Sequence, residues 1–144
     1  PVDFAKDNLV EALVDAGFDT RARSFFSLLG VSYYLTKEHL QTLLTTIAAL
    51  VPQGSGVAFD YADENLFSSN VKRVQNMVGM AQASGEPMKS CFRYNELEKL
   101  LEEAGWLIYE HLSPDEIETR CFAGRNDYLH AFEHINYVLA VTGK

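Results

Sequence analysis

The chain has 144 residues, of which 47% are apolar and 12% aromatic, and its formal net charge is −8. This length and apolar content are enough for one globular domain, and they exclude a chain that is disordered throughout. The negative charge argues against partners with anionic surfaces, namely nucleic acid and membranes. Because the sequence has neither a bilayer-spanning apolar run nor a signal peptide, we expect a cytoplasmic protein.

The first part of the chain predicts a strand end, a helix and a further strand. Pro1-Val2-Asp3-Phe4 is typical of the end of a strand, because apolar residues lead to one acidic side chain and a polar segment follows. Residues 6–16 have apolar positions at helical spacing, and Gly17 is suited to end that helix. Residues 23–34 form a continuous apolar run with few charges, which predicts a strand buried on both faces.

The middle of the chain predicts a helix, a strand and a second helix. Thr36 is a suitable N-cap for the first of these helices, whose apolar stripe ends before Pro52 and Gly54. Residues 57–61 predict a short buried strand, and residues 64–83 predict a long amphipathic helix.

The last part of the chain predicts a helix and two strands. Asn95, followed three residues later by Glu98, predicts the start of the helix, and residues 106–112 predict a strand. A short helical turn is predicted to begin at Ser113, and residues 135–141 form the last predicted strand.

Alternating helices and strands predict an α/β fold with a mostly parallel sheet and helices on its faces. The two closing strands lack a crossover helix between them, so one of them should run antiparallel at the sheet edge. The chain contains no glycine-rich strand-to-helix turn of the kind that cradles a cofactor. We therefore interpret residues 1–144 as a single, partial domain, the second half of a cofactor-binding α/β domain.

The segment His130-Ala131-Phe132-Glu133-His134 matches the H-x-x-E-H pattern of inverted zinc peptidases. Such sites need a third protein ligand well downstream, and the chain ends soon after this motif. We therefore favour a partly exposed, hydrogen-bonded helix face over a zinc site here.

The segment Ser32-Tyr33-Tyr34-Leu35-Thr36 lies where a predicted parallel strand ends and a helix begins. Ligands collect at this edge of open sheets, so the two tyrosine hydroxyls are suited to a binding cleft. The alternative, in which the rings pack beneath a helix, applies more readily to Tyr33 than to Tyr34.

Six segments, spread over essentially the whole chain, carry a recognisable combination of residues. They are Val2-Asp3-Phe4, Ala16-Gly17-Phe18-Asp19, the run 25–36, the run 57–61, Ser84-Gly85-Glu86-Pro87 and Arg120-Cys121-Phe122-Ala123-Gly124-Arg125. In this order they resemble the leucine carboxyl methyltransferase-like family of S-adenosylmethionine-dependent methyltransferases. The resemblance implies a Rossmann-like class I methyltransferase fold, usually of seven strands with the last antiparallel, of which this chain would supply the C-terminal half.

The resemblance also implies which residues contact the cofactor, S-adenosylmethionine. Asp3 matches an acidic residue that contacts the adenine, with Phe4 beside it. Leu29 and Gly30 lie where a strand end borders the cofactor, although many relatives have a glutamate at the position of Leu29. The glycine-rich loop that holds the methionine part of the cofactor would belong to the missing half.

On the substrate side, the resemblance implies that Tyr34, with Tyr33 beside it, faces the acceptor. Tyr34 matches a tyrosine that faces the substrate carboxylate in the carboxyl methyltransferase branch. Arg120 and Arg125 would belong to a lid, although Cys121 stands where relatives commonly have an aromatic residue. No metal ion is expected.

We therefore expect an S-adenosylmethionine-dependent O-methyltransferase that acts on a carboxylate or hydroxyl of a small molecule or protein. A carboxylate acceptor needs no general base, whereas a hydroxyl does, and we identify no suitably placed base in the sequence. We expect this chain alone to be inactive, because about half of the cofactor's contacts would be absent. The alternative is a noncatalytic α/β module that forms homo-oligomers through an unpaired apolar edge at residues 25–31.

Overall fold

The computed structural model describes residues 2–3 and 6–143 of the chain. Their central feature is a four-stranded sheet whose strands are arranged in the order β1-β2-β4-β3. The strands are β1 (Phe25–Leu28), β2 (Gly56–Ala62), β3 (Trp106–Leu112) and β4 (Ile135–Thr142). β1 pairs with β2 in parallel, and β4 pairs antiparallel with both β2 and β3. Three of the four strands therefore share one direction, and the predicted α/β class with an antiparallel closing strand is confirmed.

The position predicted for the antiparallel strand is wrong. β4 lies between β2 and β3 rather than at the sheet edge, and β3 is the edge strand. The central position is consistent with the side chains of β4, since Val138 and Ala140 are buried and the backbone of β4 bonds to strands on both sides. Hydrophobic burial and two hydrogen-bonded ladders favour this arrangement over an exposed edge.

Five α-helices and three other helical turns accompany the strands within the described residues. The helices are α1 (Leu9–Asp15), α2 (Lys37–Leu50), α3 (Lys72–Ala83), α4 (Tyr94–Glu103) and α5 (Pro114–Ile117). The other helical turns are Ser32–Tyr34, Leu66–Ser68 and Glu118–Phe122. Thr36 is the N-cap of α2 as predicted, because its hydroxyl oxygen accepts a hydrogen bond from the His39 N–H at 3.2 Å.

Several predicted boundaries differ from the observed ones. The strand predicted at 23–34 is only four residues long, because the chain turns at Gly30, whose φ of 72° lies in the left-handed region. None of the residues of β1 is buried, so the prediction of a strand buried on both faces is wrong. The helix predicted at 64–83 is divided into a short turn and α3.

Two further predictions also need correction: the start of α4 and the strand end predicted at residues 1–4. α4 begins at Tyr94, before the predicted start at Asn95, and the Glu96 carboxylate accepts a hydrogen bond from the Arg93 N–H at 3.0 Å. Val2 and Asp3 are not in a strand, while Pro1 and Phe4 of the predicted strand end lie outside the described residues.

Helices α2 and α4 cover one face of the sheet and form the main core with it. Trp106 of β3 is fully buried in this core, and its indole N–H donates to the Leu44 carbonyl of α2 at 2.9 Å. A second cluster lies beyond the carboxyl end of β2, where α3 packs against Ala62, Leu66 and the rings of Tyr33 and Tyr34. The second cluster therefore places Tyr33 and Tyr34 between the sheet and α3.

The opposite face of the sheet is open within the described residues. Phe25 of β1 is 66% exposed, Leu107 of β3 is 52% exposed and Tyr109 of β3 is 74% exposed. Phe25, Tyr109 and Val141 line one shallow depression on this face. The sequence predicted helices on both faces of the sheet, and the described helices leave this one uncovered.

The H-x-x-E-H motif does not lie on a helix, so that prediction is wrong. Residues 130–134 form the loop that precedes β4, and His134 has a φ of 67°. Within residues 2–3 and 6–143, no group of three or more His, Cys, Asp or Glu side chains is arranged to hold a metal ion. No helix in the same residues has the length and apolar character needed to span a membrane.

Candidate functional site

Asp60 organises the turn that follows β1. It is 5% exposed at the middle of β2, and its Oδ1 accepts a hydrogen bond from the Gly30 N–H at 2.7 Å. Its Oδ2 accepts a bond from the Tyr33 hydroxyl at 3.3 Å. One carboxylate therefore holds both the backbone at the end of β1 and the first of the two tyrosines.

The Tyr33 hydroxyl is held in its protonated form. Burial raises the pKa of Tyr33, and the nearby Asp60 carboxylate raises it further because a second negative charge would be repelled. The ring of Tyr33 meets that of Tyr34 edge to face, with centroids 5.1 Å apart. This geometry assigns Tyr33 a supporting position, with its hydroxyl directed to Asp60 and its ring packed against Tyr34.

The turn that carries both tyrosines is anchored to the segment before α4. The Tyr33 carbonyl accepts hydrogen bonds from the N–H groups of Lys89 at 2.6 Å and Ser90 at 3.3 Å. The Ser90 hydroxyl donates to the Ser32 carbonyl at 3.2 Å. Tyr34 is therefore fixed against residues 84–90, which form the opposite wall of the neighbouring pocket.

Asp3 and Tyr34 line the same pocket, which has a volume of about 500 Å³. The remaining lining residues are Val2, Leu35, Gly85, Glu86, Pro87 and Lys89. The Asp3 carboxylate lies 3.2 Å from the Lys6 ammonium, and the Asp3 N–H donates to Asp7 at 2.7 Å. A residue predicted for the cofactor and a residue predicted for the acceptor are thus neighbours, although they are far apart in sequence.

The chemistry of this pocket fits the adenine end of a nucleoside. The Asp3 carboxylate can accept a hydrogen bond from an exocyclic amine, and Val2, Leu35 and Pro87 can contact the face of an aromatic ring. Phe4, the other residue predicted beside the adenine, lies outside the described residues.

Leu29 and Gly30, also predicted to border the cofactor, are not among the residues that line this pocket. Leu29 is 58% exposed immediately after β1, and Gly30 makes the turn that leads to the tyrosines. Their position at the carboxyl end of a parallel strand is the edge of an open sheet where ligands bind.

A second groove lies on the other side of Tyr34, along α3. Its walls include Arg73, Met77 and Met80, and its volume is about 470 Å³. The Arg73 guanidinium bonds to the Glu133 carboxylate at 2.5 Å and lies 4.5 Å from the centre of the Phe132 ring. The groove therefore combines an apolar floor with one cation that is held in place by the loop before β4.

Arg120 and Arg125, the predicted lid residues, form ion pairs with acidic residues close to them in sequence. The Arg120 guanidinium bonds to the Glu110 carboxylate at 2.6 Å, and Arg125 pairs with the Asp127 carboxylate. Neither arginine lines the pocket of Asp3 and Tyr34 or the groove along α3. Both side chains are largely solvated in ion pairs with local acidic partners.

The sequence did not predict the hydrogen-bonded chain formed by Asp63, His134 and Ser69. His134 Nδ1 lies 3.0 Å and 3.2 Å from the two Asp63 carboxylate oxygens, and its Nε2 lies 3.0 Å from the Ser69 hydroxyl oxygen. Two signals were available: Asp63 lies two residues after the strand predicted at 57–61, and His134 directly precedes the strand predicted at 135–141. Only the pairing of those two strands reveals that the residues meet.

Comparison with known proteins identifies a family that matches the first third of the chain and a curated relative that matches nearly all of it. Residues 1–48 match the leucine carboxyl methyltransferase family. YktD of Bacillus subtilis (strain 168), which carries the provisional name S-adenosyl-L-methionine-dependent methyltransferase, is 54% identical over 143 residues. The predicted resemblance to this family is confirmed. The match covers 98% of this chain and 47% of YktD, so the chain spans about half the length of this curated relative.

Solved structures of low sequence identity share the fold. One is a DUF574 family protein from Streptomyces avermitilis MA-4680, with a TM-score of 0.69 and 14% sequence identity. The match covers 99% of this chain and 53% of the Streptomyces chain. Another is an S-adenosylmethionine-dependent methyltransferase from Clostridium acetobutylicum ATCC 824, with a TM-score of 0.54 and 11% sequence identity. The match covers 99% of this chain and 63% of the Clostridium chain. The predicted Rossmann-like fold class is thereby confirmed.

Proposed function

We propose that this chain is part of an S-adenosylmethionine-dependent O-methyltransferase whose acceptor is a carboxylate or a hydroxyl. The observation that carries the proposal is the pocket lined by both Asp3 and Tyr34, the residues assigned to the cofactor and to the acceptor. The match of residues 1–48 to the leucine carboxyl methyltransferase family supports the same activity, since that span includes both residues. The acceptor would be a small molecule or a protein side chain.

In this proposal the pocket of Asp3 holds the adenine of the cofactor. The Asp3 carboxylate accepts a hydrogen bond from the adenine amine, with Phe4 beside the ring, and Leu29 and Gly30 border the cofactor at the end of β1. When bound, S-adenosylmethionine supplies a methyl group already activated by its sulfonium charge. The chain's own residues therefore need chiefly to align the acceptor oxygen and to exclude water.

Tyr34 contacts the acceptor in this proposal, and Tyr33 fixes the position of Tyr34 through its bond to Asp60. Arg120 and Arg125 remain proposed lid residues, which would have to exchange their present carboxylate partners for the acceptor. An anionic acceptor would favour that exchange, because a guanidinium binds carboxylates in bidentate geometry.

We further propose that residues 1–144 form a partial domain that has no activity alone. A cofactor site with only its adenine side would bind weakly, since the contacts to the methionine part come from a glycine-rich loop that the chain does not contain. The chain's coverage of 47% of YktD is consistent with such a division.

Calorimetry with S-adenosylhomocysteine tests this proposal. We expect no tight binding by the chain alone, and clear binding when the chain is joined to the part of YktD that it does not match. In the joined protein, Asp3→Ala should weaken binding about tenfold or more, because a hydrogen bond to a charged group contributes on the order of 1.5–3 kcal/mol. Asp19→Ala, which changes an exposed aspartate, is the matched control and should leave the affinity unchanged.

Two results of that experiment would count against the proposal. Tight binding by the chain alone contradicts the inactivity of the isolated chain. Absence of binding by the joined protein contradicts the cofactor assignment itself.

The open face of the sheet supports a second candidate function, self-association of a noncatalytic module. β1 is an edge strand with unpaired backbone groups, and the adjoining face carries exposed Phe25, Leu107 and Tyr109. Apolar patches of this kind mark interaction surfaces in soluble proteins.

A further inference from the structure

The chain of Asp63, His134 and Ser69 has the order of groups that removes a proton from a hydroxyl. An ionised carboxylate only accepts hydrogen bonds, so the Asp63 oxygens at 3.0 Å and 3.2 Å require a hydrogen on His134 Nδ1. In the neutral imidazole, Nε2 then carries a lone pair, and the Ser69 hydroxyl donates to it at 3.0 Å. The carboxylate fixes the orientation of the ring and stabilises the positive charge that it acquires on protonation.

The backbone holds His134 in an uncommon conformation to make these contacts. Its φ of 67° makes it the one non-glycine residue with positive φ in residues 2–3 and 6–143. The His134 carbonyl accepts a hydrogen bond from the Asp63 N–H at 2.8 Å, which ties the two residues together through the main chain as well. A residue held in this region of φ,ψ space by its surroundings often has a functional role.

The three residues lie at the edge of the sheet where the proposed acceptor site is. Asp63 directly follows the carboxyl end of β2, and His134 directly precedes β4, which is antiparallel to β2. Tyr34 follows the carboxyl end of β1, which is parallel to β2, so it lies at the same edge. Tyr34 packs in the same apolar cluster as Val71 and Phe132, which lie two residues from Ser69 and from His134, respectively.

The Ser69 hydroxyl has capacity for one more partner. It donates to His134 Nε2 and accepts a hydrogen bond from the Val71 N–H at 3.2 Å, which leaves its oxygen one further lone pair. Ser69 is half-buried, and the side chains of His134 and Asp63 are 21% and 24% exposed. A hydroxyl of a bound molecule can therefore donate to Ser69 while solvent is largely kept away from the imidazole.

We infer that Asp63, His134 and Ser69 form a proton relay, and that the methyl acceptor is a hydroxyl of phenolic or similar acidity rather than a carboxylate. This inference rests on the proposed methyltransferase function. The acceptor hydroxyl gives its proton to Ser69, and Ser69 gives its own proton to His134 Nε2. As the oxygen–methyl bond forms, the sulfonium–methyl bond breaks, and its electron pair stays on sulfur to leave S-adenosylhomocysteine. The imidazolium, paired with Asp63, then releases the proton to solvent.

Nitrogen-15 NMR of histidine-labelled chain tests the relay without any cofactor. We expect His134 to carry its ring hydrogen on Nδ1 at neutral pH, with Nε2 unprotonated. Phenol at millimolar concentration should shift the His134 Nε2 resonance, whereas benzoate should not, because only phenol donates to Ser69. His39, an exposed histidine of α2, is the internal control and should respond to neither probe.

Matched serine variants separate a relay from a purely structural link between the loops. Ser69→Ala should abolish the phenol-induced shift at His134, while Ser68→Ala, which changes the exposed neighbouring hydroxyl, should preserve it. If Nε2 carries the hydrogen, if phenol leaves His134 unchanged, or if benzoate alone shifts it, the inference is overturned. These outcomes are independent of cofactor binding by the joined protein, so failure of the relay is distinguishable from failure of the proposed function.

Discussion

Asp60 is the residue on which the position of the proposed acceptor site most depends. It is 5% exposed and accepts hydrogen bonds from the Gly30 N–H and the Tyr33 hydroxyl, one on each carboxylate oxygen. Removal of the carboxylate leaves two partly buried donors without their acceptor, which costs more than the hydrogen bonds themselves contribute.

We therefore predict that Asp60→Ala lowers the free energy of unfolding by about 1–3 kcal/mol, because the Gly30 N–H and the Tyr33 hydroxyl lose their acceptor in a partly buried site. Urea denaturation followed by circular dichroism measures the change. Asp60→Asn keeps one acceptor oxygen and is the matched control, so it should lose less. Equal losses in the two variants would mean that packing, rather than the hydrogen bonds, sets the stability of this turn.

Single residues were predictable from the sequence where their position along the chain determines their role. Tyr33 and Tyr34 follow a strand end, and both lie at the sheet edge as that position indicates. Asp60 and His134 were not predicted as site residues, because their partners are 30 and 71 residues away in sequence. Contacts over such distances follow from strand pairing, which a local pattern does not contain.

At the level of elements, α2 shows how strongly a local signal can determine a boundary. Its N-cap Thr36 accepts a hydrogen bond from the His39 N–H, and its buried leucines Leu40, Leu43 and Leu44 lie on the face toward the sheet. The cap residue and the apolar stripe are both visible in the sequence, and the helix forms where they predict it.

Thr36→Ala should lower the free energy of unfolding by about 1 kcal/mol, since the N-terminal N–H groups of α2 lose their side-chain acceptor. Thermal or urea denaturation detects a change of this size in a chain of this length. Thr45→Ala is the matched control, because Thr45 is exposed in the interior of the same helix and alanine has the higher helix propensity. A larger loss for Thr45→Ala than for Thr36→Ala would contradict the capping role.

The strand predicted at 23–34 shows where the local signal is insufficient. Its apolar residues are suited equally to a strand and to the packed turn that carries Tyr33 and Tyr34. Gly30 ends β1 because its left-handed backbone brings its N–H to Asp60, a contact made across the sheet. Composition alone therefore overestimated the length of the strand.

For the whole molecule, the uneven coverage of the sheet is the dominant feature. One face is buried beneath α2 and α4, and the other exposes Phe25, Leu107 and Tyr109. Burial of an apolar surface stabilises a complex by about 25 cal/mol for each Å² removed from water, so this face favours association.

We predict that the chain forms dimers or larger oligomers through β1 and this open face. Light scattering coupled to size exclusion, over a range of protein concentrations, should detect a mass above 16.2 kDa. The double variant Phe25→Lys, Tyr109→Lys should shift the population to monomer, because two charges would be buried in the interface. The matched control Tyr128→Lys changes an exposed tyrosine outside the sheet and should preserve the oligomer. A wild-type chain that stays monomeric at high concentration contradicts the prediction.

The alternation of helices and strands, the cap of α2 and the resemblance to methyltransferases could all be predicted before folding, since each depends on residues close together or on segments in a fixed order. The tertiary structure alone decided that β4 lies inside the sheet and that Asp3 and Tyr34 line one pocket. It also brought Asp63, His134 and Ser69 into one hydrogen-bonded chain. The physical reason is that strand order and side-chain contacts depend on which distant surfaces bury each other, and that choice is made by the folded chain as a whole.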